Sequence, residues 1–120
     1  MSRTALIVDD HAAFRASARR LLESVGYDVV GEAADGMSAV AAAANLRPSV
    51  VLLDVQLPDL DGFEVARRIA ARSHAPTIIL TSIRDAADYQ SRLGASPARG
   101  FIGKLELSEE RIADLVGGSR

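Results

Sequence analysis

The sequence predicts an α/β fold, a five-stranded, doubly wound parallel sheet with helices on both faces. Two observations predict it. Short β-branched runs alternate with longer segments of helical period along the whole 120-residue chain, and alternation on that scale builds strand–helix–strand crossovers. The third run, "SVVLLDV" (49–55), is apolar without alternation, as a strand covered on both faces must be.

The elements follow in order. "ALIVD" (5–9) reads as the first strand. Phe14, Ala18, Leu21, Leu22 and Val25 then recur at helical spacing, with Arg15, Arg19, Arg20 and Glu23 on the other faces. Gly26 stops that helix. "YDVVGEA" (27–33) is the second strand, and "DGMSAVAAAANL" (35–46) a helix with Asp35 as its cap. After the third strand, "QLPDLDG" (56–62) carries turn chemistry. "FEVARRIAAR" (63–72) is helical, with Phe63, Ala66, Ile69 and Ala70 on one face. Pro76 introduces "TIILT" (77–81). "RDAADYQSRL" (84–93) reads as a helix started by Asp85 but has a poor apolar face, and Pro97 in "GASPARG" argues that it is short or irregular. "GFIGK" (100–104) is a fifth strand. "LSEERIADLV" (107–116) is a last helix, capped by Ser108 with Glu109 and Glu110 in its first turn.

Composition bounds the function. At 48% hydrophobic and 25% charged the chain is an ordinary globular domain, and 4% aromatic residues leave the core aliphatic. A net charge of −2 gives no basic field for nucleic acid or anionic membrane. The absence of cysteine excludes disulfides and thiolate chemistry. The apolar run at the N-terminus is too short for a signal peptide and no stretch approaches a membrane span, so a cytoplasmic location is expected. "DDHAAF" stands where a dinucleotide-binding fold places its glycines, and no phosphate-binding G-x-x-x-x-G-K-[ST] occurs.

The strand ends carry the chemistry. The first ends in Asp9-Asp10, the third in Asp54, the fourth in Thr81-Ser82 and the fifth in Lys104, the single lysine among 14 basic residues. In an open parallel sheet, ligands bind at the carboxyl ends of the strands. Adjacent carboxylates near a core repel one another and resist desolvation. A hard divalent cation among them offsets that cost, and oxygen donors suit Mg²⁺.

"LIVDD", "VVLLDVQLPDLDG", "TIILTS" and "GFIGK" together resemble the response-regulator receiver domains of two-component signalling, CheY-like in fold, and the resemblance spans essentially the whole chain. It implies the flavodoxin-like strand order 2-1-3-4-5 and a single receiver domain over residues 1–120. It implies that Asp54 is the phosphoacceptor, taking a phosphoryl group from a histidine kinase or histidine phosphotransfer protein. It implies that Asp9 and Asp10 hold Mg²⁺ with Asp54 and the backbone carbonyl of Gln56. Lys104 then pairs with Asp54 and later with the phosphoryl oxygens. Thr81 bonds a phosphoryl oxygen, with Ser82 an alternative hydroxyl, and Phe101 is the aromatic switch position. A face formed by the fourth helix, fifth strand and fifth helix is the one implied for output and for a homodimer.

Three features depart from that pattern. Leu105 follows the lysine where many receivers carry Pro, Phe101 has no hydroxyl, and Pro97 stands where a glycine normally closes the fourth helix. "DDH" (9–11) resembles receivers joined to LuxR-type DNA-binding domains, although His11 also reads as a plain first-turn residue. No effector domain is expected within the chain, and no direct contact with nucleic acid or membrane. Output is thus expected either by protein–protein contact or through a DNA-binding domain outside the sequence. Beyond self-catalysed phosphoryl transfer and autodephosphorylation no enzyme activity is expected. The rival reading is a small Mg²⁺-dependent aspartyl-phosphate phosphohydrolase. Such enzymes usually carry D-x-D at the nucleophile, and here Gln56 stands two residues after Asp54.

Overall fold

Strands β1 (Thr4–Val8) and β3 (Val50–Asp54) lie side by side at the centre of a five-stranded parallel sheet, flanked by β2 (Asp28–Ala33), β4 (Thr77–Ser82) and β5 (Gly100–Gly103) in the order β2-β1-β3-β4-β5. The computed structural model describes residues 3–72 and 75–116. The expected order and fold class are those observed. The expected extent of 1–120 runs at both ends beyond the described residues.

Period-two alternation sorts the sheet's side chains into two cores. Ala5, Ile7, Val50, Leu52, Ile79 and Ile102 point to one face, where α1 (Ala12–Ser24) and α5 (Glu109–Val116) cover them through Ala18, Leu22 and Ile112. Leu6, Val8, Val51, Leu53, Ile78 and Leu80 point to the other, under α2 (Gly36–Leu46) and α3 (Gly62–Ala70). Every residue of β3 is buried, which explains its unbroken apolar run. Each fully buried Leu or Ile contributes about 1.5–3 kcal/mol, so the two cores fix the register far more firmly than strand propensity does.

Local signals set the boundaries. Gly26 takes φ 94°, a left-handed conformation, at the end of α1. Asp35 caps α2 by accepting from Ser38 N at 2.8 Å. A second carboxylate joins it: Asp59, from the loop after β3, accepts from Gly36 N at 2.7 Å and Met37 N at 3.0 Å. Ser108 accepts from Arg111 N at 3.1 Å and so begins α5. Asp61 caps α3 through Glu64 N at 2.9 Å.

The fourth helix differs from the continuous 84–93 segment. Ala86–Tyr89 form a 3-10 turn with a capping box between Asp85 and Asp88, and α4 is only Gln90–Ala95. None of α4's residues is buried; Tyr89, just before it, supplies the anchor. A segment with so little apolar surface to bury cannot sustain a full amphipathic helix. Strands one and five each stop one residue early, at Val8 and Gly103, so Asp9 and Lys104 sit just beyond the ladder rather than in it. Among the described residues no helix is long and apolar enough to cross a membrane.

Candidate functional site

The carboxyl ends of β1, β3 and β5 bring three expected residues together. Asp9 is fully buried and Asp54 nearly so, at 0% and 3% exposure. Lys104 Nζ lies 2.6 Å from Asp9 Oδ2 and 3.4 Å from Asp54 Oδ2. The contact to Asp9 is a charge pair without hydrogen-bond alignment, for Asp9 Oδ2 makes no hydrogen bond. The ammonium also stands 4.6 Å above the centre of the Phe14 ring, so an aromatic face from α1 helps to hold the cation in place. Asp10 is exposed at the rim. Asp10, Asp54, Gln56, Ile83 and Lys104 line a cleft of about 270 Å³.

The loop after β3 presents Asp54. Gln56 N points back to Asp54 Oδ1 at 3.3 Å. Gly62 N donates to Val55 O at 2.7 Å, and a Cβ on Gly62 would stand 2.4 Å from the Asp54 carbonyl oxygen. Only glycine allows α3 to start against the backbone of the reactive residue. That is the physical content of the glycine in "PDLDG".

The electrostatics are strained on one side. Burial pushes the Asp54 carboxyl up to about 6, and the Asp9 charge pushes it the same way. Lys104 and the Gln56 amide oppose them without restoring the ordinary value.

These groups suit a hard cation. Asp9, Asp10, His11 and Asp54 each offer a ligand atom, and those atoms lie within 4.8 Å of one another. Three of the four donors are carboxylates, the set that Mg²⁺ takes. Asp9 Oδ2 is buried and makes no hydrogen bond, and the Lys104 ammonium 2.6 Å away answers its charge without hydrogen-bond alignment.

The two hydroxyls divide between faces. Thr81 is the register partner of Asp54, and its buried Oγ1 has no hydrogen-bond partner. Ser82, one residue on, projects to the opposite face. There its Oγ lies 3.0 Å from the Tyr89 hydroxyl and accepts from Arg84 N at 3.0 Å. Phe101 is not in the cleft. It packs on that second face against Tyr89, ring centres 5.8 Å apart, and Tyr89 in turn meets Phe63 at 5.6 Å.

Four residues without an evident site role in the sequence stand beside these groups. Phe14 falls on the core stripe of its helix, and its ring faces the Lys104 ammonium. Arg15 lies on a polar helix face, yet it donates to the Asp9 carbonyl at 2.6 Å. Tyr89 belongs to no motif, although a tyrosine in a chain with 4% aromatic residues is a signal. His11 reads as a first-turn residue, and its Nδ1 is 3.1 Å from both Asp9 Oδ1 and Asp10 Oδ1.

A family model described as the response regulator receiver domain matches residues 5–116. The chain belongs to that family. Receiver domains accept a phosphoryl group on aspartate, bind Mg²⁺ at an acidic cluster and interact with kinases and phosphotransfer proteins. Over 120 aligned residues the chain is 38% identical to a protein-glutamate methylesterase/protein-glutamine glutaminase of Alkalilimnicola ehrlichii, covering 98% of this chain and 29% of that protein. It is 31% identical to the DNA-binding transcriptional activator EvgA of Escherichia coli strain K12, covering 91% of this chain and 53% of EvgA. The crystal structure of a LuxR-family two-component response regulator from Aurantimonas sp. SI85-9A1 superposes with a TM-score of 0.86 at 29% identity, covering 100% of this chain and 89% of that one. The chain thus spans about half or less of the length of these curated relatives. One of these relatives is named for an enzyme and another for DNA binding. The phosphohydrolase reading is not favoured by these relatives.

Proposed function

We propose that this receiver domain accepts a phosphoryl group on Asp54 from a histidine kinase or histidine phosphotransfer protein in a Mg²⁺-dependent reaction. The observation that carries the reading is the position of the Asp54 carboxylate, lining a cleft and sharing the chain's only lysine with a second buried carboxylate. Asp9, Asp10, Asp54 and the Gln56 carbonyl would hold the ion, which when bound neutralises charge on the phosphoryl oxygens. An Asp54 oxygen forms the bond to phosphorus as the bond from phosphorus to the donor histidine breaks, and the imidazole keeps that electron pair. Lys104, a mobile point charge rather than a planar fork, moves toward the phosphoryl oxygens. Thr81 and Ser82 compete for the remaining phosphoryl contact. Thr81 has the unpartnered hydroxyl, and Ser82 has the connection to the aromatic side.

Phosphorylation then biases the face made by α4, β5 and α5 through differential contacts at these hydroxyls and at Phe101. Homodimerisation through that face belongs to the proposal. So does output by protein contact, or through a DNA-binding domain outside this chain. No enzyme activity beyond the domain's own phosphoryl transfer and hydrolysis is proposed. Ile83 beside the cleft and Leu105 after Lys104 are 73% and 95% exposed, apolar surface that a docked donor would cover. A partner kinase with a cytoplasmic catalytic domain goes with a cytoplasmic receiver. Incubation with acetyl phosphate should add one phosphoryl group with Mg²⁺ and none with EDTA; labelling that is equal in both would contradict the metal requirement.

A further inference from the structure

The Asp9 backbone lies just past the end of the sheet, and its polar groups are satisfied in an unusual way. A strand residue turns its N–H and C=O toward the same neighbour. Asp9 N donates to Ala33 O at 3.0 Å, so its carbonyl also faces β2. But β2 ends at Ala33, and no further strand amide remains to donate. A carbonyl left unpaired there would cost free energy. Arg15, from the first turn of α1, fills the gap with Nη1 at 2.6 Å.

Arg15 is itself held. Its Nε donates to Glu32 Oε1 at 2.9 Å, and Arg19 Nε donates to Glu32 Oε2 at 2.9 Å. Glu32 pairs in register with Ile7 on the neighbouring strand, so the brace is anchored in the sheet. The Arg15 side chain is 19% exposed, which protects the arrangement from screening.

We propose that Arg15 is a positioning residue for the divalent-cation site. Clamped by Glu32, it fixes the peptide plane between Asp9 and Asp10 and so aims both carboxylates at the ion. This rests on the Mg²⁺ reading above. Partners that orient metal ligands typically alter affinity 10- to 100-fold when removed.

The sign of the effect separates positioning from plain electrostatics. Arg15 is a cation beside a cation site. If it acted by charge alone, Arg15→Gln would tighten Mg²⁺ binding and Arg15→Lys would leave it unchanged. If it positions the ligands, both substitutions weaken binding, because lysine keeps the charge but cannot reach Glu32 and the Asp9 carbonyl together.

The test is Mg²⁺ titration of the parent, Arg15→Lys, Arg15→Gln, Glu32→Gln and Arg19→Gln, followed by amide shifts of residues 9–11 and 56. Thermal midpoints in EDTA are measured alongside. Arg15→Lys should weaken Mg²⁺ about 10-fold, and Glu32→Gln should weaken it in the same direction. Arg19→Gln, which leaves the Arg15–Asp9 bond in place, should bind near the parent's affinity. An Arg15→Lys variant with parental affinity would overturn the inference, as would an Arg15→Gln variant that binds more tightly. A lowered midpoint with unchanged affinity would show a structural brace only. If Arg15→Gln fails to fold, the lysine and Glu32 variants decide. A parent that binds no Mg²⁺ would overturn the proposed function instead.

Discussion

Lys104 Nζ stands closer to Asp9 than to Asp54, 2.6 Å against 3.4 Å. One ammonium is shared by two buried carboxylates. It cannot neutralise both, and burial first, then the Asp9 charge, push the Asp54 carboxyl up to about 6.

The stability of the cation-free protein should therefore depend on Asp54 ionisation. The folded value lies above the ordinary carboxylate value of 3.8, so protons bind more tightly to the folded state. The associated stability is present in full below about pH 4 and is lost as pH rises through about 6. In EDTA, Asp54→Asn should be more stable than the parent above about pH 7, by about 2 kcal/mol after allowance for water at the cleft mouth. The two should converge below about pH 4. Urea melts across that range would show it, and a constant difference between the two proteins at every pH would refute it.

Asp10 offers a cleaner separation of binding from folding. It sits at the exposed rim and faces the same like charges. Asp10→Asn should weaken Mg²⁺ binding while leaving the EDTA-treated protein as stable as the parent or more so, because an ion that binds only the folded state stabilises by mass action. A clear fall in the midpoint in EDTA would make Asp10 a structural residue.

Replacing Lys104 with arginine should keep the fold but uncouple the switch. The guanidinium is a longer planar fork, and the space it would enter is bounded by Asp9, Asp54 and the Phe14 ring. Amide shifts across residues 81–104 on adding beryllofluoride and Mg²⁺ should be smaller in Lys104→Arg than in the parent. An identical shift pattern would reduce Lys104 to one more positive charge.

Much of this was legible in the chain because the chemistry sits at strand ends. Apolar runs announced the five strands, and the residues that close them announced the site. What stayed hidden depends on side chains reaching across elements. Asp59 looks like a turn residue in "PDLDG", and only the approach of α2 to that loop makes it a second cap. Arg15 occupies a polar position of an amphipathic helix, and nothing in its spacing tells that β2 stops one residue short of the Asp9 carbonyl. The start of the fourth helix at Asp85 and its short, irregular form are legible in the sequence, but its split into a 3-10 turn and the short α4 is set by how little apolar surface follows Tyr89. Thr81 and Ser82 are adjacent in sequence, yet strand alternation sends them to opposite faces.

That division yields a prediction of its own. Ser82 touches Tyr89, and Tyr89 touches Phe101, so Ser82 is the hydroxyl with a physical path to the α4 side. Tyr89→Phe removes the hydroxyl pair and should cost about 0.5–1.5 kcal/mol. Ser82→Ala should blunt the beryllofluoride-induced shifts at Phe101 more than Thr81→Val does. The reverse ranking would assign the coupling to Thr81.

If Asp54 is the phosphoacceptor, intact mass after treatment with acetyl phosphate and Mg²⁺ should show one added phosphoryl group on the parent and none on Asp54→Asn. An Asp54→Asn protein that gains the same mass at the parent's rate would contradict that role.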